Sequence, residues 1–344
     1  MQNQDNDISL KDYFVPLTNA KAITFIILIG LIVYANALFN GFVWDDFAFI
    51  LNNLDLRTTN VFQLFIMNVF NNGGYYRPLS ALYFYVLYHI FGNQAFYYHL
   101  IQVLLHIVNT GFLFLLLKKF VRKPIAFFSA LIFLLHPIQV ESVVYIGATQ
   151  SELFTIFGLG GLLQIMSNKK DTIIKWVLVF ISLLFSILVK ETGILFLLMA
   201  IIYINVTREN KYLSKSFLLG SIVFIYCVIR LGISKIYFEK AVTSPISWLP
   251  IWQRIINIPS ILFYYIRMFF FPSKMAIDQL WTISSTGFSQ FYLPLLICIG
   301  FIVGLYFGGY YVYRNDQKIF IGTSFSRFGF CLGWVCSCSC FLWI

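Results

Sequence analysis

The sequence predicts an all-α, polytopic membrane protein with about nine transmembrane helices and further helices on the outer membrane surface. Hydrophobic residues make up 60% of the 344 residues and charged residues only 11%, with a mean hydropathy of +0.81. Most apolar runs are long enough to cross a hydrocarbon core of ~30 Å. The net charge of +10 comes from short basic clusters between these runs. That pattern is typical of cytoplasmic loops and does not indicate a nucleic-acid partner.

Two further apolar stretches set the predicted topology, because 79–91 and 256–271 are shorter than a full crossing. Each covers ~20–24 Å at 1.5 Å per residue, so we expect both to lie on the outer surface or to be re-entrant. If both crossed, three basic clusters would move outside, against the positive-inside tendency. The predicted crossings are 20–39, 95–117, 125–140, 143–166, 173–189, 193–206, 217–233, 291–313 and 319–343.

These crossings divide the chain into a cytoplasmic tail (1–19), a membrane domain (20–318) and an atypical end (319–344). The membrane domain carries two outer loops, 40–94 and 234–290. Ala35-Asn36-Ala37 is similar to a signal-peptide cleavage site, but the long acidic stretch before it favours a retained first helix. The final segment alternates cysteine with serine and is expected to be a truncated or frame-shifted reading. Its four cysteines form neither a disulfide framework nor a zinc-type spacing with histidine.

Two adjacent carboxylates, Asp45 and Asp46, follow the first apolar run in the stretch FNGFVWDD. Carboxylates are costly near a bilayer and persist there mainly when they are paired or perform chemistry. This pair could deprotonate a hydroxyl or hold a cation; the alternative is a solvated loop start. The predicted topology brings the acidic candidates to the outer face, where they could converge: Asp45, Asp46, Glu141, Glu152, Glu191 and Asp278.

The outer face also carries three cations, Arg77, Lys190 and Arg267. Arg77 stands before Pro78, and its planar fork of donors suits phosphate oxygens. Lys190 and Glu191 form either an ion pair in a tight turn or part of a ligand site. His136 precedes Pro137 at a helix end and is a further candidate. His99 and His106 are expected to be hydrogen-bonded core residues.

Several blocks in order carry a family resemblance: FNGFVWDD, YYRPLSALYFYVLYHIFG, YYHLIQVLLHIVN, LLHPIQVESVV, SELF and VKETG. From about residue 20 to residue 279 the chain resembles GT-C fold glycosyltransferases, in particular the transmembrane and tetratricopeptide-repeat O-mannosyltransferases and, more distantly, the protein O-mannosyltransferases. The resemblance implies inverting transfer of a sugar from a polyprenyl or dolichyl phosphate to an acceptor outside the cytoplasm. It assigns the catalytic base to Asp45 with Asp46 beside it, and a second acidic position to Glu152.

The residue types agree with that chemistry. A carboxylate that takes the proton of an acceptor hydroxyl contributes typically 10²–10⁴-fold. The lipid phosphate needs positive charge as it leaves, and the candidates are Arg77, Lys190 and Arg267. A divalent cation held by Asp45 and Asp46 would also stabilise the negative charge of the departing phosphate. Mannose as the sugar, a protein Ser/Thr or a glycan or lipid as acceptor, and a plasma membrane location in a prokaryote are further expectations.

Two other function classes stay open at this point. A transporter or lipid flippase would use the same acids as a coupling site, and an inactive truncated remnant would keep the loops without activity. Transporters often show internal repeats and charges near the membrane midplane. The sequence shows no internal repeat, and its acids fall at helix ends. This distribution favours the enzyme.

Overall fold

The computed structural model describes residues 18–67, 69, 75–167, 170–207, 211–236, 245–273, 282–283 and 286–315. Every element of regular secondary structure in these ranges is helical, which confirms the predicted all-α class. Short 3₁₀ or π turns extend or join several helices. The α-helices are α1 (Asn19–Val33), α2 (Asp55–Thr58), α3 (Pro78–Phe91), α4 (Ala95–Leu117), α5 (Lys123–Leu135), α6 (Val140–Val144), α7 (Thr149–Ile165), α8 (Ile173–Val189), α9 (Ile194–Thr207), α10 (Tyr212–Cys227), α11 (Ile251–Phe270) and α12 (Leu293–Asn315).

Three helical segments are long and apolar enough to cross a membrane, namely Ala95–Leu117, Tyr212–Ile233 and Phe288–Gly308. A fourth results if α5 and the segment Pro137–Val144, which meet at 51°, form one bent span. The chain is therefore an integral membrane protein. The count of nine crossings remains a prediction, because several other apolar helices, such as α1 and α8, have fewer than 18 residues.

The boundaries predicted for the crossings 125–140 and 143–166 are wrong. Helix α5 ends at Leu135 because Pro137 follows His136, whose backbone is extended (φ −65°, ψ 129°). The chain then passes through Pro137–Gln139, α6 and a second 3₁₀ turn before α7 begins at Thr149. This broken segment brings irregular backbone, which can present N–H and C=O groups, to one end of the bundle.

Two other boundaries also differ from prediction. Helix α1 ends at Val33, and a 3₁₀ turn over Ala35–Phe39 replaces the expected last helical turns. Helix α11 has 20 residues, ~30 Å at 1.5 Å per residue, so the short length predicted for 256–271 is wrong. Its position on the outer surface remains a prediction. Asp278, most of the cytoplasmic tail and the segment 319–344 lie outside the described residues.

The centre of the bundle is formed by α4, α7 and α8. Glycines on α7 allow close packing, since a Cβ at Gly158 would lie 2.1 Å from the Phe196 ring on α9. A Cβ at Gly161 would lie 2.9 Å from the Leu183 side chain on α8. Such close packing fixes the start of α7 relative to the connection between α8 and α9, where the candidate cation Lys190 lies.

Gly193 closes the turn between α8 and α9. A Cβ at this position would lie 2.4 Å from both the carbonyl carbon and the oxygen of Ser186, which are backbone atoms of α8. The N–H of Lys190 donates to the same Ser186 oxygen at 3.2 Å. The absence of a side chain at Gly193 therefore sets where Lys190 and Glu191 emerge from the bundle.

We expect Gly193→Ala to destabilise the protein by about 1–3 kcal/mol, because the added methyl overlaps backbone that cannot rotate away. Gly111→Ala in α4 is the matched control, since nothing lies within 4 Å of its Cβ position. A helical Gly→Ala change in open space should be neutral or stabilising by up to ~1 kcal/mol. Thermal unfolding of both variants in detergent measures the difference. Equal midpoints for Gly193→Ala and the wild type would contradict this packing.

Candidate functional site

Residues 43–46 form a tight turn that carries the acidic pair, here called the acidic turn. The N–H of Asp46 donates to the Val43 carbonyl at 3.0 Å, and the N–H of Val43 donates to Asp46 Oδ2 at 2.9 Å. Trp44, at the second position, has a φ of +48°. A non-glycine residue in this region costs roughly 1–2 kcal/mol, so the surrounding bonds must hold it there. Trp44 and Asp45 consequently occupy the tip of the turn.

Asp46 anchors the acidic turn to the broken segment between α6 and α7. Its side chain is fully buried, and its Oδ1 accepts the N–H of Gly147 at 2.7 Å. Burial raises the pKa of Asp46 to about 6, although the N–H groups of Val43 and Gly147 act in the opposite direction. Both carboxylate oxygens thus accept hydrogen bonds, and Asp46 acts as a structural acid behind the tip.

Asp45 is half-buried and lies beside Tyr145. Burial and the neighbouring carboxylates of Asp45 and Asp46 raise the pKa of Tyr145 above its usual range. The Tyr145 ring covers Gly147, where an added Cβ would lie 2.7 Å from the Tyr145 Cζ. The Trp44 ring stacks over Tyr145 with centroids 6.4 Å apart. Asp45 is therefore the acid of the pair that remains accessible.

Gln150, in the first turn of α7, connects this acidic region to the cations. Its Nε2 donates to the Gly147 carbonyl at 3.2 Å, and its Oε1 accepts from Arg77 Nη1 at 2.8 Å. A continuous path of hydrogen bonds thus runs from Asp46 through Gly147 and Gln150 to Arg77. The path couples a loop after α1 with the residue that precedes α3.

Arg77 is held in place by neighbouring side chains and uses only some of its donors on the described residues. Its Nε donates to Glu191 Oε2 at 2.9 Å, and its guanidinium stacks over the Tyr75 ring at 4.2 Å. Only two of the five N–H groups of an arginine form hydrogen bonds with described residues here, through Glu191 and Gln150. The other three can bind an anion, and the side chain is 14% exposed.

Glu191 gathers a second arginine, so that a cation cluster of Arg77, Lys190 and Arg230 surrounds it. Arg230 Nη1 lies 3.6 Å from Glu191 Oε1, and its residue is only 4% exposed. Lys190 Nζ donates to Ser151 Oγ at 3.1 Å. Glu191 therefore pairs with the two arginines, while Lys190 reaches α7; the ligand role predicted for Lys190 and Glu191 stays a prediction.

The pKa of Lys190 is shifted by its surroundings. Burial lowers its pKa to about 8, the Arg77 charge lowers it further, and Glu191 and Glu141 partly oppose this shift. Glu141 is exposed on α6, and its charge is close enough to act on Lys190. Because the pKa is near neutrality, the charge of Lys190 depends on pH in the range where a protein works.

The structure does not bring Glu152 to this cluster. Glu152 is fully buried in α7, with Oε1 3.0 Å from His106 Nδ1 and Oε2 2.6 Å from Asn109 Nδ2. Both partners lie on α4, so the carboxylate joins two core helices. His106 is hydrogen-bonded in the core, as the sequence predicted. His99, on the same helix, is buried as well.

Other sequence candidates lie elsewhere on the bundle. His136 Nδ1 accepts the N–H of Ile138 at 3.2 Å, and its Nε2 lies 2.8 Å from the Phe269 carbonyl. Nε2 is therefore the protonated nitrogen, and His136 ties the end of α5 to α11. Arg267 is exposed on α11, and its guanidinium forms no hydrogen bond or ion pair with any described residue. Asp278 lies outside the described ranges.

Three site residues were not predicted from the sequence, namely Tyr145, Gln150 and Arg230. Arg230 had a usable signal, because an arginine inside the apolar run 217–233 is a functional candidate by default. Gln150 is uncharged, and one of many tyrosines at a membrane edge is not distinctive. Only the spatial contacts identify these two.

The acidic turn does not fit a divalent cation well. Each Asp46 oxygen already accepts a backbone N–H, and Asp45 is the only other carboxylate of the turn. Across the described part of the chain, no group of three or more His, Cys, Asp or Glu side chains could hold a metal ion. We therefore assign no step to a metal.

Comparisons with known proteins agree with the sequence motifs. Residues 77–232 match the family model described as dolichyl-phosphate-mannose-protein mannosyltransferase. Protein O-mannosyl-transferase TMTC3 of Mus musculus is 30% identical over 188 residues, 51% of this chain and 20% of that protein. Protein O-mannosyl-transferase F38B6.6 of Caenorhabditis elegans is 26% identical over 269 residues, 74% of this chain and 38% of that protein. No solved structure matches the chain.

The matched region contains Arg77, Gln150, Lys190, Glu191 and Arg230, whereas the acidic turn precedes the family-model match. The chain spans less than two fifths of the length of these two relatives. The comparisons nevertheless confirm the resemblance that the ordered sequence blocks predicted. This chain is therefore similar, over residues 77–232, to the family described as dolichyl-phosphate-mannose-protein mannosyltransferase, and over a wider range to protein O-mannosyl-transferases.

Proposed function

We propose that this protein is a membrane glycosyltransferase that transfers mannose from a dolichyl- or polyprenyl-phosphate donor to an acceptor hydroxyl on the outer face. The observation that carries the proposal is the hydrogen-bond path from Asp46 through Gly147 and Gln150 to Arg77. It connects an accessible acid, Asp45, with a cluster of cations. A base and a phosphate site are the two parts that the reaction needs. The GT-C architecture, the nine crossings and the outward orientation belong to the same proposal.

In this proposal Asp45 is the general base. It takes the proton from a Ser or Thr hydroxyl of the acceptor as the hydroxyl oxygen forms a bond to C1 of the mannose. The bond from C1 to the phosphate oxygen breaks on the opposite side, and its electron pair leaves with the lipid phosphate. The configuration at C1 is therefore inverted. Asp46 is a positioning residue, because its buried carboxylate holds the turn that presents Asp45.

The cation cluster stabilises the departing phosphate. Three N–H groups of Arg77 have no hydrogen bond to a described residue and are available to phosphate oxygens, and the orientation of Arg77 is fixed by Glu191, Gln150 and the Tyr75 ring. Lys190 adds a second positive charge from the neighbouring turn. Preorganised charges of this kind act where charge develops in the transition state and need no reorganisation. Glu152 has a structural role in this scheme rather than a catalytic one.

Asp45→Asn should lower the rate of mannose transfer by about two orders of magnitude or more, since the amide keeps the shape but cannot accept the proton. Donor binding should survive, because the phosphate is held by the cation cluster. Purified protein, dolichyl-phosphate-mannose and a Ser/Thr peptide are incubated, and mass spectrometry measures the released lipid phosphate. Asp55→Asn, an acid of the same loop, is the matched control and should retain activity. Turnover by Asp45→Asn at the wild-type rate would exclude Asp45 as the base.

Lys190 should give the reaction an alkaline limit. Its folded pKa of about 8 lies below the ordinary value of 10.5, so the cation is present below pH 8 and is lost as the pH rises through 8. The kcat/KM for the donor, which reports groups of the free enzyme, should therefore fall above pH 8. Lys190→Arg stays charged throughout this range and should remove that limb, whereas Lys190→Met should be slow at every pH. An unchanged alkaline limb in Lys190→Arg would contradict the assignment.

A further inference from the structure

Trp44 is an exposed aromatic residue of the candidate site that the proposed reaction leaves without a role. It precedes Asp45 at the tip of the acidic turn, and 51% of its surface is exposed. Its φ of +48° is a conformation that a bulky residue seldom adopts. Such outliers persist when surrounding bonds enforce them, and they cluster at functional sites.

Four hydrogen bonds hold this turn, and three of them involve Asp46; in the fourth the Trp44 carbonyl accepts the N–H of Phe47 at 3.2 Å. The Asp46 carboxylate accepts the N–H of Val43 on one side of Trp44 and the N–H of Gly147 across the site. The Asp46 N–H closes the turn by donating to the Val43 carbonyl. The buried Asp46 thus stabilises a turn in which the strained residue, Trp44, carries an exposed indole ring. Glycine would fill the same position without strain, so the side chain itself needs an explanation.

A second aromatic ring supports the indole. Trp44 and Tyr145 stack with centroids 6.4 Å apart and planes 28° from parallel. Tyr145 rests in turn on Gly147, which has no side chain to displace it. The indole therefore has one face on a fixed support while half of its surface stays open beside Asp45.

We propose that Trp44 is a hexose-binding platform, whose open indole face packs against the C–H face of the sugar that is transferred. The inference rests on the proposed function. Because inversion places the base and the leaving phosphate on opposite sides of C1, the sugar lies between Asp45 and the cation cluster. A flat apolar surface next to Asp45 meets the ring of that sugar, while the sugar hydroxyls remain free for polar partners.

An interfacial anchor is the alternative role for an exposed tryptophan in a membrane protein. An anchor requires an amphipathic ring at the right depth but no left-handed backbone and no supporting ring. The platform requires an orientation, which the turn and Tyr145 provide. The two roles differ in one measurable property, namely whether Trp44 senses the sugar on the lipid.

The test compares binding of dolichyl-phosphate-mannose and of dolichyl phosphate without sugar, in detergent. The ratio of the two dissociation constants is measured for the wild type and for Trp44→Phe, Trp44→Leu and Trp44→Gly. Wild type should bind the mannose-bearing lipid more tightly, by about 3- to 10-fold if the ring contact resembles other aromatic contacts. Trp44→Leu and Trp44→Gly should bring the ratio to about one, and Trp44→Phe should retain part of it.

Trp44→Gly also separates recognition from folding. Glycine relieves the positive φ, so this variant should unfold at the same temperature as the wild type or higher, yet lose the preference. Phe62→Leu, which changes an aromatic residue of the same loop that is 81% exposed, should keep the wild-type ratio.

The outcomes separate the two proposals. A wild-type ratio retained by Trp44→Leu and Trp44→Gly would overturn the platform, even with transfer intact. A parallel loss of affinity for both lipids would instead indicate an anchor. Failure of the wild type to transfer mannose would contradict the proposed function, and the binding ratio would then report on sugar recognition alone.

Discussion

The hydrogen bond from the Gly147 N–H to the buried Asp46 carboxylate is the contact on which the candidate site depends. The two residues are 101 positions apart in the sequence, yet the Gly147 nitrogen lies 2.7 Å from Asp46 Oδ1. A carboxylate buried without partners would be very costly, so its two N–H donors are required for the turn to exist. The bond thereby fixes the acidic turn against the broken segment after α5, whose irregular backbone supplies the donor.

The same glycine connects the turn to the cations. Its carbonyl accepts from Gln150, and Gln150 accepts from Arg77, so the backbone of one residue serves both halves of the site. Arg77 and Arg230 are then oriented through Glu191, which lies in the turn that Gly193 closes. Helix packing and hydrogen bonds, rather than flexible loops, fix the positions of the residues along this path. The proposed base and the proposed phosphate site are therefore both held by contacts of the fold.

The sequence predicted much of this arrangement, because topology and charge act over whole segments. The positive-inside rule predicted that Asp45, Asp46, Arg77, Lys190 and Glu191 lie on one face of the membrane. The rule could not tell which residues of a single helix face the site and which face the core. Side chains at adjacent positions of α7 point about 100° apart, so Ser151 reaches Lys190 while the next residue, Glu152, is directed into the core. The helix ends near Pro137 and the length of α11 depend on the local backbone conformation, which a hydropathy pattern does not reveal.

In the proposed mechanism the acidic turn and the cation cluster form one coupled unit through Gln150. A double-mutant cycle of Asp46→Asn and Arg77→Ala, measured as unfolding free energy in detergent, tests it most directly. The two residues do not contact each other, so independent sites would give additive effects to within about 0.3–0.5 kcal/mol. A unit coupled through Gln150 should give a coupling free energy larger than that, and the coupling should disappear when the cycle is repeated in a Gln150→Ala background. Additivity in the wild-type background would contradict it.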